Sequence, residues 1–63
     1  MIYKAIIKNN LVAKFLQEMS YGLIDHLIIS TDYQEFYTIF DIDCKGGDLN
    51  WVQLIETQLN NGT

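Results

Sequence analysis

"LIDHLIISTDYQEFYTIFDI", residues 23–42, decides the fold. Leu23–Ser30 is rich in Ile and Leu, and Gln34–Ile42 in aromatic and β-branched residues, the composition of strands. Ser30-Thr31-Asp32 between them has turn chemistry. Two such runs separated by a short polar break predict an antiparallel hairpin. Alternation places Phe36, Thr38, Phe40 and Ile42 on one face, expected to be the core face, and Glu35, Tyr37, Ile39 and Asp41 on the other.

The hairpin needs partners. On its N-terminal side, "MIYKAIIK" (1–8) alternates with Tyr3, Ala5 and Ile7 on one face and Ile2, Lys4, Ile6 and Lys8 on the other, which predicts a third strand. A helix from residue 2 to Met19 competes with this reading, and Asn9-Asn10 argues for a break. Residues 10–20 then read as a helix capped by Asn9 or Asn10, with Leu11 or Val12, Phe15, Leu16 and Met19 as its apolar stripe. Gly22 suits a left-handed C-terminal cap.

On the C-terminal side, "CKGGD" (44–48) is the strongest breaker in the chain, and Gly46-Gly47 reads as a tight turn. Asp48 or Asn50 would cap a second helix running to about Gln58. Its stripe is Leu49, Val52, Ile55 or Glu56, and Leu59, with Glu56 the odd polar member. Residues 60–63 are expected to fray. The expectation is an α+β fold, a small two-layer β-α-β-β-α domain with a three-stranded sheet and two helices on one face. Strand 1 is placed beside strand 3, with strand 1 beside strand 2 as the alternative.

Size and composition bound the role. The 63 residues form one domain, 1–63, and the single cysteine, Cys44, allows no internal disulfide. A lone thiol fits a reducing compartment, so a cytoplasmic location is expected. No secretory leader or membrane span is read in the chain. Lys4, Lys8 and Lys14 make residues 1–17 basic. All eight acids follow, against Lys45 alone, for a net charge of −4. With four lysines and no arginine the chain lacks the cations that displace counterions from nucleic acid, so direct nucleic-acid binding is not expected.

Little here points to catalysis. Asp41-x-Asp43-x-Lys45-Gly46 imitates the start of a calcium loop, but Lys45 stands where an oxygen ligand belongs, and Val52 where the closing glutamate belongs. Weak metal binding through Asp41 and Asp43 is retained as a minor alternative. His26 and Cys44 are the only imidazole and thiol, too few for zinc. They are read as a half-buried structural histidine and an inert cysteine. Gly46-Gly47 lacks the Lys-Ser/Thr ending of a phosphate loop. No enzyme activity, cofactor or metal is expected.

Both faces of the sheet are partly apolar, and one helical layer covers one face. The surplus points to an interface. The expected partner is a protein with a basic surface, met by Asp25, Asp32, Tyr33, Glu35, Tyr37, Ile39, Asp41, Asp43 and Asp48. A tiny acidic chain resembles in general profile the virus- or plasmid-encoded inhibitors of host machinery, inhibitors of CRISPR nucleases included, and its acids could imitate phosphates. No motif carries that resemblance. A structural homodimer, antitoxin-like partner or adaptor subunit is the alternative.

Overall fold

The computed structural model describes residues 2–22 and 26–62. Strand β1 (Ile2–Lys8) leads through a short 3₁₀ turn (Asn9–Leu11) into helix α1 (Val12–Gly22). Strands β2 (Leu27–Tyr33) and β3 (Tyr37–Asp43) follow, then helix α2 (Gly46–Asn60). The sheet order is β1-β3-β2, with both neighbours antiparallel to the central β3. This is the small α+β domain expected, with strand 1 beside strand 3.

The core forms where the apolar alternation of the sheet meets the stripes of the helices. Ala5 and Ile7 from β1 and Phe40 and Ile42 from β3 are buried against Phe15 and Met19 of α1 and Val52, Ile55 and Leu59 of α2. The Phe15 and Phe40 rings stack with centroids 5.3 Å apart. The Cα atoms span 29 × 24 × 15 Å, a thickness that holds one sheet and one helical layer.

The hairpin lies further along the chain than expected. Ser30-Thr31-Asp32 is strand, not turn, and the turn is Gln34–Phe36, closed by Gln34 N–H to the Tyr37 carbonyl at 2.9 Å. The second strand was expected over 23–30; residues 23–25 lie outside the described residues. Phe36 therefore leaves the expected core face and stands 74 % exposed at the hairpin tip. The third strand, expected over 34–42, begins at Tyr37 and runs to Asp43.

Three cap expectations also change. Asn9 does not cap α1. Its backbone N–H bonds the Phe36 carbonyl at 3.0 Å, and its side-chain amide donates to the carbonyls of Gln34 and Glu35 at 2.9 and 3.1 Å. Its side-chain oxygen accepts from the hydroxyl of Thr38, the one buried polar residue of the described core. Asn9 thus staples the crossover to the hairpin turn and satisfies Thr38, which burial would otherwise penalise.

Gly22 is the last residue of α1 and carries no positive φ, the only such glycine being Gly62. Its role is clearance: a Cβ there would lie 2.7 Å from Cε2 of Trp51. Gly46 and Gly47 open α2 rather than form a separate tight turn. Lys45 is its N-cap residue with no side-chain cap bond, and Asp48 lies in the first turn, where a carboxylate favours the helix dipole. At the other end α2 continues through Asn60, whose side chain is held by β1, so the expected fraying at Asn60 does not occur.

Candidate functional site

The side of the sheet away from the helices is built by register. Ile2, Asp43 and Leu27 form one cross-strand row, Lys4, Asp41 and Ser30 the next, then Ile6, Ile39 and Asp32, and finally Lys8 and Tyr37. Directly opposed residues share a face. Ile2, Ile6, Leu27 and Tyr37 are exposed by 59, 47, 62 and 40 %, and Ile39 is half-buried. Apolar rows thus alternate with charge on an uncovered sheet.

At the Tyr37 end this face runs into the hairpin tip. Tyr33 and Phe36 are each 74 % exposed there, with Asp32 and Glu35 beside them in sequence. The turn carrying these rings is fixed by the bonds from Asn9, so the aromatics stand on a braced support rather than on a free loop.

The fold redistributes the charge read from the sequence. Lys4 Nζ meets Asp41 Oδ1 at 2.9 Å, and the Ser30 hydroxyl donates to Asp41 Oδ2 at 2.8 Å. Those bonds, the Lys4 ammonium first, hold the Asp41 carboxyl below its usual value. Asp41 is therefore committed within the sheet. Asp32 accepts from the Gln34 side chain at 2.9 Å. The basic N-terminal segment and the acids, separate in sequence, interleave on one face.

Of the residues expected to meet a partner, Asp32, Tyr37, Ile39, Asp41 and Asp43 share the open face. Tyr33 pairs with the buried Thr38 and so belongs to the opposite face, exposed at the hairpin tip, and Glu35 lies in the turn. Asp48 is set apart at the start of α2, half-buried, and Asp25 lies outside the described residues. Sequence reasoning missed Phe36. The signal was available in the three-residue connection Gln34-Glu35-Phe36, whose polar start fits a hairpin turn as well as Ser30-Thr31-Asp32 does.

His26 and Cys44 come closer than the sequence suggested. They line one shallow cavity with Leu27, Asp43 and Lys45, because Leu27 pairs with Asp43 and so brings the residue before it beside the residue after Asp43. His26 is half-buried and Cys44 is buried. Burial pushes the Cys44 thiol up, opposite to the shift that activates a nucleophile. Among the described residues no group of three or more His, Cys, Asp or Glu side chains is placed to hold a metal. No helix among them is long and apolar enough to cross a membrane.

No protein-family model, curated protein or solved structure matches the chain.

Proposed function

We propose that this is a non-catalytic protein-binding domain that docks the β2–β3 hairpin tip and the adjoining open sheet face on a macromolecular partner, blocking the surface it covers. The carrying observation is the exposure of Tyr33 and Phe36 at 74 % each on a turn locked by Asn9. Exposed rings cost solvation and contribute nothing to the core, whereas aromatic anchors dominate binding energy at interfaces. Rigid support lowers the ordering cost of docking.

Acidic residues beside the rings set the sign of the partner. Asp32 and Glu35 flank Tyr33 and Phe36, and the chain carries a net charge of −4, so a basic protein surface complements it. An inhibitor of a nucleic-acid-handling enzyme fits this chemistry, since such enzymes carry basic surfaces. With Asp41 neutralised by Lys4, close imitation of a phosphate backbone is the weaker version, and ring-led docking the stronger.

The test uses the intact chain as bait beside a Tyr33→Ser/Phe36→Ser double variant. A specific partner is retained by the wild type, lost by the variant, and released progressively as salt rises. Equal retention by both baits, or no protein distinguishing them, would contradict the reading.

A further inference from the structure

The two edges of the sheet are treated differently. On β1 the Ile6 N–H donates to Glu56 Oε2 at 2.8 Å, and the Ile6 carbonyl accepts from Asn60 Nδ2 at 3.0 Å. Lys4 and Lys8 stand on the same strand. Side chains that occupy edge groups, and lysines along an edge, both oppose strand addition. Strand β2 has neither device, its one interruption being a bulge between Ile28 and Ser30. It contains no lysine and no proline, and every residue in it except Ile28 is exposed.

The phase of the hydrogen bonds follows from Ile6. Its groups turn away from β3, so Ile6 and Ile39 form a pair without mutual bonds, and Ile39 turns its groups toward β2. Asp32 and Ser30, opposite Ile39 and Asp41, then bond β3. The bond from Gln34 N–H to the Tyr37 carbonyl has the same phase. Thr31 and Tyr33 are left with N–H and C=O directed outward from the edge.

We infer that β2 is a self-association edge: it pairs antiparallel with β2 of a second copy about a two-fold axis at Thr31, joining the two sheets into one. This register sets Thr31 opposite itself, so the two residues exchange their outward N–H and C=O bonds. The Thr31 pair is of a kind that sheets favour, and Ser30 falls opposite Asp32 in both directions, so no like charges are opposed. Ile29, at the bulge between Ile28 and Ser30, ends the regular pairing. An axis at Ser30 or Asp32 brings together groups already bonded to β3, and at Asp32 it also opposes two carboxylates. Self-complementarity of this kind is what a two-fold interface requires and what a foreign strand has no reason to match.

The inference shares Tyr33 with the docking role, and salt separates the two. The two respond oppositely to salt, because copies of net charge −4 repel each other, whereas a basic partner is attracted.

Sedimentation equilibrium of the intact chain, combined with amide hydrogen exchange at several concentrations, tests it. A dimer mass is expected, strengthening with salt, and exchange at Thr31 and Tyr33 should slow by about tenfold or more as the dimer fills. Thr31→Pro removes the outward N–H while leaving the chain's own ladder intact, so the mass should fall to that of a monomer with the circular dichroism unchanged. A wild type monomeric at millimolar concentration overturns the inference, as does a dimer in which Thr31 and Tyr33 exchange at free rates. If Thr31→Pro fails to fold, the exchange of the wild type decides alone.

Discussion

Asn9 shows how much one side chain organises. It bonds the hairpin turn through its amide, accepts from the buried Thr38 hydroxyl, and anchors its own backbone on Phe36. Asn9→Ala is expected to cost about 1–3 kcal/mol, since it leaves a buried hydroxyl unpaired. Denaturant unfolding measures this, and an unchanged midpoint would refute the role. The sequence pointed to Asn9 as special for the wrong reason, because asparagine at a helix start and asparagine bracing a distant turn look alike until the chain is folded. Gly22 teaches the same lesson. Gly22→Ala gains helix propensity but drives a methyl into Trp51, and we expect a net loss of about 1–3 kcal/mol from overpacking, read as a lowered Tm. A raised Tm would show that the indole yields freely.

At the scale of elements, Glu56 explains its own oddity. It breaks the apolar stripe of α2 because it reaches the edge of β1, accepting from the Tyr3 hydroxyl and the Ile6 N–H. The Glu56 carboxylate, with burial, pushes the Tyr3 phenol up from 10.0 to about 12. A raised phenol pKa stabilises the fold below the unfolded value near 10 and loses that contribution as pH climbs toward 12. Stability measured across that window should therefore fall more in the wild type than in Tyr3→Phe; parallel curves would count against the bond. Strand β1 and most of both helical stripes were legible, since they rest on periodicity, although Leu16 of the first stripe stands exposed. The strand order was only one of two that periodicity allows, and pairing of β1 with β3 decides it. The hairpin register was not legible. Ser30-Thr31-Asp32 has turn chemistry, yet Ser30 and Asp32 lie in the β2 ladder opposite Asp41 and Ile39, and strand pairing overrides local preference there. The three-residue shift that results is what moves Phe36 from core to surface.

For the whole molecule, the decisive fact is that one helical layer covers one side of the sheet. The helices hide Ala5, Ile7, Phe40 and Ile42, while Ile2, Ile6, Leu27 and Tyr37 remain exposed on the far side, and Tyr33, opposite the buried Thr38, and Phe36 stand exposed at the hairpin tip. The surplus of apolar surface was readable from the alternating strands before any coordinates. Its distribution was not, because Lys4 pairs with Asp41 across a sequence separation of 37 residues and tempers the acidic face. What the fold leaves is an aromatic tip on a rigid turn, beside a mixed face of modest charge.

The most direct test of that account is the affinity of the captured partner for wild type and for Tyr33→Ser/Phe36→Ser. Two lost anchors should weaken binding by about a hundredfold or more while the melting temperature of the variant stays at the wild-type value. Equal affinity, or a variant that melts well below the wild type, would show that these rings serve the fold and not a partner.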